Sequence, residues 1–176
     1  MKFEVLHRDV VYQGRAFDVA RLRLRVPGGD QKHYDLVEHR DSISIIPLDS
    51  DGQIWFVRQY RVGVDGELLE LPAGVLEPGE RPESGAAREV REEVGMAAAE
   101  LRYLGGFYLT PGYCNEFHSI FLATGLYSAP LAADPDEYLQ IEKLPVAQAF
   151  QRAEHGEFRD AKTMAALFLL KGALPG

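Results

Sequence analysis

Glu89, Glu92 and Glu93 are the residues of this 176-residue chain whose types and spacing point most directly to chemistry. On a helix turning about 100° per residue they share a stripe roughly 100° wide, beside the apolar positions Ala87, Val90 and Val94. Glu89 and Glu93 form an i,i+4 pair of like charge, which costs an isolated helix about a few tenths of a kcal/mol, and partial burial adds to that. A multivalent cation reverses the sign of the interaction. Ligation by oxygen alone suits Mg²⁺ or Mn²⁺ rather than zinc, which prefers His and Cys. Taken alone, the Glu-Val-Arg-Glu-Glu segment reads more simply as a solvated acidic helix face. The five histidines have no paired spacing, and neither a GxxxxGK loop nor a GxSxG elbow occurs, so P-loop and serine-hydrolase chemistry find no support.

The elements that must position these glutamates follow from the pattern of apolar residues. A helix is expected from Glu83, with Gly95 as its stop, after a Gly- and Pro-rich loop, AGVLEPGERPES, from residue 73. Ahead of that loop, strands are expected in the alternating run 20–26, in 32–38, 42–48 and 53–60, and in a short buried run at 68–72. Further strands are expected near 101–109, 117–124 and 138–144, with helices at 146–154 and 161–171. Strands mixed with helices and no internal repeat indicate an α/β chain with one core.

The glutamates belong to a longer pattern, G-x5-E-x7-R-E-U-x-E-E-x-G-U with U a bulky apolar residue. Gly74, Glu80, Arg88, Glu89, Val90, Glu92, Glu93, Gly95 and Met96 satisfy it. At about 1 in 15 for each of seven fixed positions, a chance match at one register is on the order of 10⁻⁸. This is the Nudix box, and the chain resembles the Nudix hydrolases, which cleave nucleoside diphosphates linked to another moiety. The VRQYR run at Val57–Arg61, the LELPAG run before the box, FYLTPG ending at Gly112 and DAKT at Asp160–Thr163 are similar to the ADP-ribose pyrophosphatase branch. In that branch a proline commonly lies sixteen residues after the final glycine of the box, and Pro111 stands there.

The resemblance implies a Nudix α/β/α sandwich around a mixed sheet over residues 41–176. Residues 1–40 would form a small N-terminal β element of the kind that exchanges between subunits of a homodimer. It implies Mg²⁺- or Mn²⁺-dependent hydrolysis of ADP-ribose, or a related nucleoside diphosphate sugar, to a nucleoside monophosphate and a sugar phosphate. Glu89 and Glu93 would be the principal metal ligands, with Glu92 a third ligand or a base through water, the Ala73 carbonyl a neutral ligand, and Glu137 a further ligand. Arg88 would pair with Glu80 and hold the loop against the helix. Where relatives often carry Glu-x-Glu, this chain has Asp134-Pro135-Asp136-Glu137, so Pro135 replaces the glutamate frequently assigned as base, and Asp134, Asp136 or Glu92 would substitute. Arg61 would meet the substrate's phosphates. Arg58 is either a second phosphate contact or a structural ion-pair partner, and Gly74, Glu70, Pro111 and Glu116 would border the substrate. The same chemistry on GDP-mannose, a dinucleoside polyphosphate or an oxidised nucleotide, and a non-catalytic ADP-ribose sensor, are the rival readings.

Composition narrows the partners. The net charge of -8 opposes binding to nucleic acid, and residues 74–96 alone hold six glutamates against three arginines. Bound divalent ions would compensate that concentration of charge. The longest strongly apolar stretch, near residue 168, is too short to cross a bilayer, and the charged opening MKFEVLHRD does not read as a signal peptide. A single cysteine, Cys114, favours a reducing cytoplasm. Trp55 is expected in the core, Tyr113 is a weaker candidate for base stacking, and Arg21, Arg23 and Arg25 are expected on a solvated strand face.

Overall fold

The computed structural model describes residues 2–132 and 137–174. The chain divides into two compact units, Met1–Asp41 with Phe107–His118, and Ser42–Gly106 with Ser119–Gly176.

The first unit is built on a three-stranded antiparallel sheet in the order β1 (Glu4–Gln13), β2 (Asp18–Arg25), β3 (Gln31–Glu38). Alternation in β2 turns Leu22 and Leu24 to the less exposed face and Arg21, Arg23 and Arg25 to solvent. Arg21 meets Asp35 and Arg25 meets Glu4 on that outer face. The 107–118 segment joins this unit through a parallel bridge between Val37 and Cys114.

In the second unit, β4 (Ser42–Pro47) is buried along its whole length, as a run read on both faces must be. Strand β5 (Gln53–Arg61) pairs antiparallel with β6 (Gly66–Glu70), and β7 (Ala73–Val75) pairs antiparallel with β4. Helix α1 (Pro82–Glu93) follows, then β8 (Met96–Tyr108), β9 (Phe117–Ser128), β10 (Gln140–Pro145), α2 (Val146–Glu154) and α3 (Ala161–Ala173). One sheet runs β10-β5-β6 and the other β7-β4-β9-β8. Ile43 and Ile45 of β4 pack with Ala86 and Val90 of α1, while Ser44 and Ile46, on the opposite face, are equally buried and α3 also lies against β4. On the β5 side Phe56 stacks on Phe158, with ring centroids 5.2 Å apart, beside α2. Helices therefore cover both faces, giving an α/β/α sandwich.

Two local outcomes differ from expectation and a third meets it in part. The stretch expected to be wholly loop contains β7, too short to show a period yet fixed by its ladder, Ser42 to Val75 and Ser44 to Ala73. Ala86 rather than Ala87 joins the core, because it continues the four-residue spacing of Val90 and Val94 toward the helix start. Trp55 packs against the core as expected but stays half-buried: its indole N–H donates to Asp49 at 2.8 Å and Lys143 lies 3.5 Å from the ring centroid.

Candidate active site

Helix α1 carries the acidic stripe. Pro82 opens it, where a missing N–H is harmless, and Gly95 just beyond its end adopts φ 71°, a left-handed conformation that favours glycine. Between them Val90 enters the core, and the adjoining Glu89 and Glu93 are buried with it, 7% and 6% exposed, with Glu92 half-buried. Buried carboxylates need partners. Arg88 supplies most of them, its five N–H groups meeting five acceptors. Its Nε and Nη2 donate to the Glu80 carboxylate at 3.1 and 2.9 Å, Nη1 donates to Glu89 and Glu92 at 2.7 and 2.8 Å, and Nη2 also reaches the Val75 carbonyl at 3.4 Å. Glu80 in turn accepts from the backbone N–H of Glu77, which closes the loop, and the Arg88 guanidinium lowers the Glu80 pKa. The expected Arg88–Glu80 pair is thus present, together with contacts to Glu89, Glu92 and the Val75 carbonyl.

The strand edge opposite α1 completes the cluster. The Ala73 N–H donates to Glu93 at 3.0 Å. At Gly74 a Cβ atom would stand 1.8 Å from a Glu89 carboxylate oxygen, so only glycine lets that side chain lie against β7. Burial pushes the Glu89 pKa up to about 7; Arg88 pulls it down, while the carboxylates of Glu92 and Glu137 push it further up. Glu93 is held well above the ordinary carboxylate range, by burial first and then by Glu89 and Glu137, against the pull of the Ala73 N–H and Arg61. Glu137 is therefore electrostatically coupled to both.

The donor chemistry suits a hard divalent cation. Arg88 gathers the carboxylates of Glu80, Glu89 and Glu92, the charges of Glu93 and Glu137 act beside them, and the oxygens are the type that Mg²⁺ or Mn²⁺ takes. Among the described residues no three His, Cys, Asp or Glu side chains already converge as a ligand sphere. Arg88 and the Ala73 N–H each engage one oxygen of the carboxylate they hold, Arg88 for Glu89 and Glu92 and the Ala73 N–H for Glu93.

Arg61 donates from Nε and Nη2 to the two oxygens of Glu70, at 2.9 and 2.7 Å, and Glu70 is 1% exposed. Lys162 approaches the same carboxylate at 3.6 Å. Arg61 lies close enough to Glu93 to act on its pKa, and its Nη1 takes part in no hydrogen bond among the described residues. Arg58 donates to Glu142 at 2.7 Å, and Arg152 reaches the other oxygen of Glu142 at 3.2 Å and Glu157 at 2.9 Å, so Arg58 sits in a four-member ion-pair group. Pro111 and Glu116 fall in the first unit. Pro111 occupies a turn closed by bonds from the N–H groups of Tyr113 and Cys114 to the Thr110 carbonyl, and Glu116 lies 3.6 Å from His39. Asp134, Pro135 and Asp136 lie outside the described residues. Sequence reasoning gave no role to the triplet Asp160, Lys162 and Thr163, which meets this region through Glu70 and Leu71; the Asp-x-x-Thr spacing of a helix cap was the available signal.

A family model for the NUDIX domain matches residues 38–167, about three quarters of the chain. The chain belongs to the Nudix family. It is 33% identical over 177 residues to an ADP-ribose pyrophosphatase of Mycobacterium tuberculosis, covering 99% of this chain and 86% of that one. It is 30% identical over 174 residues to an ADP compounds hydrolase of Escherichia coli strain K12, covering 98% and 93%. A crystal structure of an ADP compounds hydrolase superposes with a TM-score of 0.90 at 30% identity, over 99% of this chain and 95% of that one. The protein is thus a Nudix hydrolase with the Nudix sandwich fold, and enzymes of this family work with divalent metal ions. No helix of the described residues is long and apolar enough to cross a membrane.

Proposed function

We propose that this Nudix hydrolase cleaves the diphosphate of ADP-ribose, or of a related nucleoside diphosphate sugar, with Mg²⁺, giving AMP and ribose 5-phosphate. The observation that carries this reading is the buried pair Glu89 and Glu93, both raised in pKa and both acted on by Glu137. The relatives named ADP-ribose pyrophosphatase and ADP compounds hydrolase support the substrate class. Mn²⁺ is the natural substitute.

In this reading Glu89, Glu92, Glu93, Glu137 and the Ala73 carbonyl hold the metal, which supplies charge neutralisation at the diphosphate and a more acidic water. Arg88 orients Glu89 and Glu92 while staying tied to Glu80. Glu92 would take the proton of the attacking water, a role for which Asp134 and Asp136 are the alternatives. Arg61 offers its Nη1 to a phosphate oxygen while Glu70 holds the rest of the guanidinium in place. Gly74 keeps the Glu89 carboxylate in reach of the site, and Pro111 and Glu116 border the sugar or base. The reading of Arg58 as an ion-pair partner is the one its contacts favour.

Residues 1–40 are proposed as an element exchanged between subunits of a cytoplasmic homodimer, with residues 41–176 as the catalytic domain. Val5, Val10, Val11 and Tyr12 expose apolar surface on β1, which a second subunit would cover. A release assay over nucleotide sugars, dinucleotides and nucleoside triphosphates, with Mg²⁺ and with Mn²⁺, tests the reaction; ADP-ribose is expected to turn over best. A broader action on ADP-linked compounds is the second reading, favoured by the TM-score of 0.90 to an ADP compounds hydrolase. Comparable turnover of ADP-containing dinucleotides would select it. Inactivity on every diphosphate would favour a regulator that binds ADP-ribose without cleaving it.

A further inference from the structure

The backbone between Glu70 and Ala73 leaves one sheet and enters another: β6 ends at Glu70 in the β10-β5-β6 sheet, and β7 begins at Ala73 beside β4. Four consecutive residues of this crossover are pinned, each by a different partner. Glu70 is held by Arg61 and Lys162, the Leu71 N–H donates to the Thr163 hydroxyl at 2.9 Å, the Pro72 carbonyl accepts from the Ile45 N–H at 2.9 Å, and the Ala73 N–H donates to Glu93 at 3.0 Å. Leu71 is 1% exposed and Thr163 is fully buried, so the Leu71 N–H has neither a ladder partner nor water to fall back on. The Thr163 hydroxyl donates its own proton to Asp160 at 2.7 Å, and Asp160 also caps α3 by accepting from the Thr163 N–H at 2.9 Å. Asp160 therefore fixes the direction of that hydroxyl, leaving its lone pairs for Leu71. Lys162, bonded to Asp160 at 2.6 Å and 3.6 Å from Glu70, ties the Glu70 end of the crossover to the start of α3.

We propose that Thr163, oriented by Asp160, is a positioning residue for the metal-binding edge: it sets the Leu71–Ala73 backbone against Glu93, so that the Ala73 carbonyl and the Glu93 carboxylate are presented together. The inference rests on the metal reading given above but not on the identity of the substrate. It concerns a residue more than sixty positions beyond the box, on another helix.

The test is a titration of metal-free protein with Mn²⁺, followed by calorimetry, for the native chain and for Thr163→Val, Thr163→Ser and Asp160→Asn. Valine keeps the shape and loses the acceptor; serine keeps the acceptor. Thr163→Val is expected to weaken Mn²⁺ binding at least tenfold and to raise the Mg²⁺ concentration for half-maximal turnover in parallel. Thr163→Ser should stay within twofold of the native chain. Asp160→Asn keeps a competent cap, weakens the hold on the hydroxyl and gives up the ion pair with Lys162, so a loss of about threefold is expected; it serves in place of Thr163→Val should that variant not fold. Native Mn²⁺ affinity in Thr163→Val, or in Asp160→Asn where it stands in, would overturn the proposal even if the melting temperature fell, because a merely structural role predicts that split. Failure of the native chain itself to bind Mn²⁺ would instead overturn the metal reading on which the proposal stands.

Discussion

Glu93 is where burial and charge act most strongly, and its substitution separates function from folding. Replacing it with Gln removes the charge, keeps the bond from the Ala73 N–H and relieves repulsion from Glu89 and Glu137. Glu93→Gln is expected to lose at least a hundredfold in kcat while melting at or above the native temperature without metal, as measured by turnover and thermal denaturation. At Gly74, alanine would place a methyl carbon on the Glu89 carboxylate. Gly74→Ala should therefore lose at least tenfold in kcat with a smaller change in KM, since what moves is a proposed ligand rather than the substrate. These residues were legible in the sequence because the box fixes their spacing. The Ala73 N–H and the Thr163 hydroxyl were not: one is a backbone group, which sequence does not distinguish, and the other reaches Leu71 across 92 positions.

Helix α1 is placed from sequence to within a residue at its start, Pro82 against the expected Glu83, because the apolar spacing marks its body and the positive-φ Gly95 its end. Its N-cap, Arg81, makes no side-chain capping bond. Arg81→Ser is thus expected to stabilise the protein by about 1 kcal/mol, a rise of roughly 2–4 °C in Tm, with kcat unchanged. Scanning calorimetry checks this directly. Strand β7 escaped the sequence because three residues carry no period; pairing with β4 makes it a strand. The position of α3 was foreseen, but its task of holding the crossover depends on contacts between distant segments.

Across the whole molecule, the division of charge sets the response to pH. Glu89 and Glu93 have folded pKa values above the ordinary 4.5, so the metal-free folded state binds more protons than the unfolded chain between about 4.5 and 7. Metal-free protein should accordingly lose stability as pH rises through that window. Glu80, Glu142 and Asp160 have the opposite sign: their lowered values give stability above the unfolded pKa that is lost in acid. With saturating Mg²⁺ the decline between pH 4.5 and 7 should vanish, because bound metal holds the carboxylates ionised. Tm against pH with and without metal resolves the two curves. The α/β class and the acidic loops were readable from composition and pattern. The passage of β8 and β9 from one compact unit into the other was not, since each reads as a single continuous strand.

The most direct measurement is the turnover of ADP-ribose by purified protein with and without Mg²⁺, with products identified by mass spectrometry. AMP and ribose 5-phosphate are expected in equal amounts, only when the metal is present, and their formation is expected to fall at least a hundredfold in Glu93→Gln. Metal-independent turnover, or native turnover by Glu93→Gln, would contradict the central claim that the buried carboxylates of α1 hold the catalytic metal.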